Sequence, residues 1–155
     1  MTQLSLPRWL RILIASLALL ALVLATLAPI VATRGHVEAV GLYMALEPLC
    51  HQRADRSWSY GDLSAGLCIR CYGIYSGIAA AAFLGLPFSK RMAAAGVLIL
   101  GSAWGLEHLA GFSLPEALRF ASGGALGLVM ASATGGRGSS WEREETAGEA
   151  AASNG

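Results

Sequence analysis

Four apolar segments, separated by polar stretches, dominate the pattern of the chain. The first, over residues 12–32, carries no charged residue and is about as long as the roughly 20 residues that cross a bilayer as a helix. Three more follow at residues 71–87, 92–112 and 116–134, each near one crossing in length at about 1.5 Å per residue. The pattern predicts an all-α fold: a polytopic membrane bundle of four helices, with residues 1–134 as a single domain.

The first apolar segment has a second interpretation as a cleaved signal peptide. Arg8 and Arg11 precede it and would form the positive region of such a peptide. The apolar run is nevertheless longer than the roughly 7–15 residues typical of a signal sequence. The length favours a retained helix.

Small residues recur at every fourth position in the last three segments. In lipid, apolar burial between helices gains little, and small residues allow two backbones to approach and pack by van der Waals contact. The stripes predict a compact bundle. The glycines expected at its helix contacts are Gly73, Gly77, Gly101, Gly105, Gly123 and Gly127.

Composition and charge agree with a membrane protein, at 55% hydrophobic and 14% charged residues. The net charge of +1 provides no basic surface for nucleic acid, and membrane lipid is the expected partner. Cytoplasmic loops are enriched in Lys and Arg, which predicts a cell (inner) membrane protein with both termini inside and residues 33–70 outside. Residues 135–155, rich in Gly, Ser, Ala and Glu, are predicted to be a disordered cytoplasmic tail. The cytoplasmic cations would be Arg8, Arg11, Lys90, Arg91, Arg137 and Arg143, against Arg34, Arg53, Arg56 and Arg70 outside.

All three cysteines lie in the polar stretch before the second segment or at its start. Cys50-His51 and the pair Cys68 and Cys71 offer three thiols and an imidazole, which is the ligand set of a tetrahedral Cys3His site. Zinc is the expected metal, with copper or iron as alternatives. His51 is the weakest member of the set, because neighbouring side chains tend to diverge. Four protein ligands would close the metal sphere and make the site structural, not that of a metalloenzyme.

Three other interpretations remain open. Cys50 could be a packed thiol and His51 a surface residue, with only the C-x-x-C motif important. Cys68 and Cys71 could instead cycle between dithiol and disulfide, linked to a quinone, with Cys50 as a resolving thiol. The chain could also be a non-catalytic subunit of a larger membrane assembly or a homo-oligomer.

Ionisable residues inside the apolar segments form a second candidate group. Glu107 and His108 lie in the third segment and Arg119 in the fourth. Ionisable groups in lipid are costly and often functional. Four alternating spans bring these residues to the same end as the cysteines, where Glu107 can neutralise Arg119. Tyr72 and Tyr75 are expected to be interfacial anchors.

The motifs CHQ, RS and LCxRCxGIYxG, which begin at Cys50, Arg56 and Leu67, resemble the signature of a bacterial and archaeal family of small predicted membrane proteins of unknown function. Arg119 with Ser122-Gly123 is similar to the last helix of that family, whereas Glu107-His108 departs from the Asp and Gln expected there. The resemblance implies several membrane helices and no particular activity. Within the motif we expect side chains that donate hydrogen bonds to thiolates, namely Gln52, Arg56 and Arg70.

Overall fold

A computed structural model describes residues 7–86, 90–109, 111 and 113–132, without the side chains of Lys90, Arg91 and His108. The predicted tail at 135–155 lies outside this range. The elements are α1 (Arg8–Thr33), α2 (Glu38–Leu46), β1 (Ser59–Tyr60), β2 (Leu63–Ser64), α3 (Ile69–Leu84), α4 (Lys90–His108) and α5 (Glu116–Ser132). The two short strands pair antiparallel, with Ser59 opposite Ser64. The all-α prediction is confirmed for the described residues.

Helix α1 is the one described helix that is both long and apolar enough to cross a membrane, judged by length and composition. α3 and residues Met92–Glu107 of α4 are shorter apolar helices. The buried stripe of α1 consists of small side chains, whereas leucines occupy its exposed face. This stripe lets other elements pack closely along α1, and its buried alanines are Ala15, Ala18, Ala21, Ala25 and Ala28.

Glycines bring α3 and α5 into close backbone contact. A Cβ added to Gly73 or Gly77 would meet the backbone of α5, and one added to Gly123 or Gly127 would meet the backbone of α3. These four positions therefore pack as the small-residue pattern predicts. The clash that each added methyl group would create shows how little space separates the two helices.

The glycines predicted for α4 behave differently. No described atom lies within 4 Å of a Cβ placed on Gly101, and the nearest atom to one on Gly105 belongs to Leu109, at 4.0 Å. Helix α4 instead fits against α5 at Gly96, where a Cβ would lie 2.6 Å from Val129 Cγ2. The helix contact expected at Gly101 and Gly105 is therefore absent from the described part of the chain.

A proline in α1 explains how the long loop attaches to the bundle. Pro29 has no N–H, so the carbonyl of Ala25 loses its usual partner four residues later in the helix. The N–H of Gly66 donates to that carbonyl instead, at 3.0 Å. A Cβ on Gly66 would lie 2.7 Å from Leu46 Cδ1 and 3.1 Å from Ala25 Cα, so this approach requires a glycine.

The loop returns along α1 before α3 begins. Tyr72, in the first turn of α3, contacts Thr26 of α1, with the two hydroxyl oxygens 3.2 Å apart. Thr26 lies about 10 Å before the end of α1 at Thr33, at 1.5 Å per residue. At the other end of α3, Gly85 adjoins the Arg11 guanidinium. Helix α3 is therefore antiparallel to α1. Its first turn lies beside Thr26, about 10 Å short of the C-terminal end of α1.

Candidate metal centre

The three thiols converge where the loop meets α3. The Sγ atoms of Cys50, Cys68 and Cys71 all lie within 4.8 Å of one another. Cys50 is buried, while Cys68 and Cys71 are half-buried, and all three are free thiols. The predicted approach of Cys50 to the C-x-x-C motif is confirmed.

Local backbone geometry places each thiol. Pro48 lies in a 3-10 turn, Glu47–Leu49, after which Cys50 is extended. Cys68 is the N-cap residue of α3, and this brings Cys71 into the first turn of the same helix. Gln52, two residues after Cys50, has a φ of 47°, in the left-handed region.

Backbone N–H groups point at the buried sulfur. The N–H of Cys68 donates to Cys50 Sγ at 3.3 Å, and the N–H of Gln52 also points to this sulfur. Hydrogen bonds from the thiols of Cys68 and Cys71, together with these N–H groups, lower the pKa of Cys50 despite its burial. The pKa of Cys68 is raised, first because its thiol donates a hydrogen bond to Cys50. Of Cys50 and Cys68, Cys50 therefore has the stronger preference for the thiolate form.

His51 does not join the thiol group. The structure leaves it exposed, and neither ring nitrogen belongs to the set of ligand atoms that lie within 4.8 Å of one another. Of the four predicted ligands, three converge. The physical reason is that Cys50 is extended, and successive side chains of an extended segment point in opposite directions.

The expected hydrogen-bond donors to the thiolates point elsewhere through their side chains. Gln52 Nε2 donates to the carbonyl of Tyr43 in α2, at 2.7 Å. Arg56 lies beside Asp55, at 3.6 Å. Arg70 turns towards α4 and donates to Glu107. Among these three residues, only the backbone N–H of Gln52 points to a cysteine sulfur.

An aromatic cluster next to the thiols was not predicted from the sequence. The Trp58 ring centroid lies 4.9 Å from that of Tyr72 and 6.2 Å from that of Phe120, so it joins the loop to α3 and α5. Trp58 Nε1 also donates to Glu116 Oε2, at 3.0 Å. Tyr72 is only 7% exposed, and the interpretation of this residue as an interfacial anchor is wrong because α1 provides a hydroxyl partner in the interior. The one available signal was a tryptophan in an otherwise polar segment.

Glu107 bridges two arginines beside the cysteine motif. Its Oε2 lies 2.6 Å from Arg70 Nη2, and its Oε1 lies 2.6 Å from Arg119 Nε. The side chains are 7% exposed for Glu107, 16% for Arg70 and 17% for Arg119. The bridge ties α3, α4 and α5 together at the end that carries the thiols. The side chain of His108 lies outside the described structure.

One comparison with known proteins gives a match. The family model described as "Predicted membrane protein (DUF2085)" matches residues 50–133, which is more than half of the chain. The matched range begins at Cys50 and extends just past α5, so it includes all three thiols and the Glu107 bridge. No curated protein and no solved structure matches the chain.

Proposed function

This chain belongs to the DUF2085 family of predicted membrane proteins, and we propose that its three thiols hold one metal ion inside a multi-pass bundle. The observation that carries the proposal is the convergence of Cys50, Cys68 and Cys71, whose Sγ atoms lie within 4.8 Å of one another. Such spacing suits three sulfurs around one ion, since a Zn–S bond is about 2.3 Å long.

Zinc is the metal that we propose, because thiolate-rich sites favour it over the harder divalent ions. The N–H groups of Cys68 and Gln52 around Cys50 support this assignment, since hydrogen bonds to sulfur stabilise a thiolate ligand. Copper(I) is the main alternative, because soft thiolates also select it. Three protein ligands leave a fourth position, which we propose is filled by a non-protein ligand such as water, because His51 lies outside the thiol group.

We further propose four spans, with both termini in the cytoplasm. Helices α3, α4 and α5 measure about 24, 28 and 25 Å at 1.5 Å per residue. The short α3 is compatible with a crossing because the returning loop covers its outer end. Irregular backbone at membrane depth is tolerated where protein buries it, as it does at Gly66 against Ala25.

The topology can be tested with fusions at the C-terminus. A fluorescent protein that matures only in the cytoplasm should be bright there, and a periplasmic phosphatase should be inactive. The reverse pair of results would overturn the four-span proposal with both termini inside. Neither result depends on metal binding.

Elemental analysis of the purified chain tests the metal site. We expect about one metal ion per chain in the unmutated protein and loss of it in Cys50→Ser, Cys68→Ser and Cys71→Ser. His36→Ala is the matched control, because His36 is exposed and pairs with Glu38 at 3.7 Å. His51→Ala should keep its metal, since His51 lies outside the thiol group, and loss of metal in this variant would contradict a site with three protein ligands. If the unmutated protein contains no metal after it has been purified in buffers that contain zinc, the proposal is refuted.

A second candidate function, thiol-disulfide exchange linked to a quinone, is favoured by one observation. An apolar groove of about 440 Å³ extends from Leu49, next to Cys50, along α1 to Ile14, and Tyr75 lines it beside Leu46. Its size and lining suit a membrane-soluble molecule. Two thiols would form a disulfide and release two electrons and two protons, which the quinone would accept to become a quinol.

Thiol labelling distinguishes the two functions. In the metal site, a chelator should increase labelling of all three cysteines, and a reductant alone should change nothing. In the redox model, the reductant alone should increase labelling of two cysteines. The second result would favour exchange and contradict a permanently reduced metal site.

A further inference from the structure

A polar cavity lies apart from the apolar groove and shares no lining residue with it. It has a volume of about 190 Å³ and is lined by Asp55, Arg56, Glu107, Gly111, Ser113 and Arg119. It therefore lies between the loop that follows Cys50 and the neighbouring ends of α4 and α5. None of the three cysteines lines it.

Two arginines and two carboxylates line this cavity, and two further arginines pair with the same carboxylates from outside the lining. Glu107 is shared by Arg70 and Arg119, each at 2.6 Å. Asp55 is shared in the same way by Arg53 at 3.2 Å and Arg56 at 3.6 Å. Four guanidinium groups thus share two carboxylates. The carboxylate of Glu116, at the start of α5, accepts the indole N–H of Trp58 and pairs with none of these four arginines.

A surplus of positive charge is costly where solvent is scarce. The surplus is buried only in the group of Arg70, Glu107 and Arg119, whose side chains are 16%, 7% and 17% exposed and which carry a net charge of +1. Arg53 and Asp55, by contrast, are open to solvent. A buried cation without a counter-charge is strongly destabilising, and ionisable residues in a membrane pair with an opposite charge. Arg119 donates its Nε–H to Glu107, which is one of the five N–H donors of a guanidinium. The cavity therefore offers donors as well as charge to an anion.

We propose that this cavity binds a phosphoryl group, with Arg56 and Arg119 as its cationic ligands and the Ser113 hydroxyl beside them. Guanidinium groups match phosphate oxygens in geometry and bind them through two parallel hydrogen bonds. The cavity, of about 190 Å³, is large enough for one phosphoryl group. The group comes either from inorganic phosphate or from the headgroup of an anionic phospholipid.

The test uses the full chain purified in a maltoside detergent, which contains no phosphate. The unfolding temperature and the heat of binding are measured with inorganic phosphate, with phosphatidylglycerol and with diacylglycerol, which lacks a phosphoryl group, at a constant ionic strength set by chloride. We expect phosphate or phosphatidylglycerol to raise the unfolding temperature and diacylglycerol to leave it unchanged. A response to phosphatidylglycerol alone identifies the lipid headgroup, and a response to phosphate, with or without one to phosphatidylglycerol, identifies the phosphoryl group itself.

Arg56→Gln is the informative variant, because Arg56 is at the rim of the cavity and carries none of the buried Glu107 bridge. It should weaken binding about tenfold, as expected for the loss of one charge-assisted hydrogen bond. Arg53→Gln is the matched control, since Arg53 pairs with the same Asp55 but does not line the cavity. No response to phosphate or phosphatidylglycerol, or equal weakening in both variants, would overturn the proposal.

Discussion

Single residues decide where the long loop attaches to the helices. Pro29 has no N–H to donate to the carbonyl of Ala25, and Gly66 is small enough to approach and donate to it instead. The sequence shows that Pro29 leaves a backbone carbonyl without its helical donor. It does not show which residue donates to that carbonyl instead, because the donor comes from a segment far along the chain. In the same way, the cysteine grouping was predictable from the motif, whereas the orientation of His51 depends on the extended backbone of Cys50.

Replacing Gly66 with alanine should destabilise the fold by about 1–3 kcal/mol, the usual cost of overpacking a filled site. The added Cβ would lie 2.7 Å from Leu46 Cδ1 and 3.1 Å from Ala25 Cα. The measurement is chemical or thermal unfolding of the purified chain. Gly41→Ala is the control, because Gly41 lies in α2 with nothing within 4 Å of an added Cβ. Equal effects of the two changes would refute this account of the docking contact.

Glu107→Gln should cost about 3 kcal/mol or more in the free energy of unfolding. The change leaves Arg70 and Arg119 buried without the carboxylate that both contact, and breaking a buried ion pair has a cost of this size. Unfolding in detergent measures the loss. Glu38→Gln, at an exposed pair with His36, should have little effect. A Glu107→Gln protein as stable as the unmutated chain would show that the bridge contributes nothing.

At the scale of elements, three similar glycine stripes have two different outcomes. The stripes of α3 and α5 face each other, whereas Gly101 and Gly105 of α4 do not face another described helix. The sequence predicts which residues share a face of a helix, since that follows from its period. It does not predict which helix lies opposite, because that depends on how all the elements pack together.

Gly77→Ala should separate α3 from α5 and lower stability by about 1–3 kcal/mol, since the added carbon would meet the α5 backbone at Gly124 and Leu128. Thermal unfolding again provides the measurement. Gly101→Ala, in the same helical context but with nothing within 4 Å, should leave stability unchanged or slightly higher. Destabilisation by Gly101→Ala as large as that by Gly77→Ala would contradict the packing described above.

At the scale of the whole molecule, two chemical groups share one end of the bundle. The C-x-x-C motif presents its cysteines to Cys50, while Arg70 between them faces Glu107 in α4. The helical period separates these directions, because residues next to each other in a helix point about 100° apart. The sequence predicted the three thiols and the pairing of Glu107 with Arg119. It did not predict that Arg70 faces Glu107 instead of the thiols, or that His51 lies outside the thiol group.

X-ray absorption at the edge of the bound metal tests the central claim most directly, because it counts the sulfur ligands. For the purified protein loaded with zinc, we predict three sulfur scatterers at about 2.3 Å, with a fourth, lighter scatterer that persists in His51→Ala, because His51 lies outside the thiol group. Cys50→Ser should reduce the sulfur count to two in any metal that remains. A metal surrounded only by nitrogen and oxygen, or a sulfur count that Cys50→Ser leaves unchanged, would contradict the assignment of Cys50, Cys68 and Cys71 as one metal site.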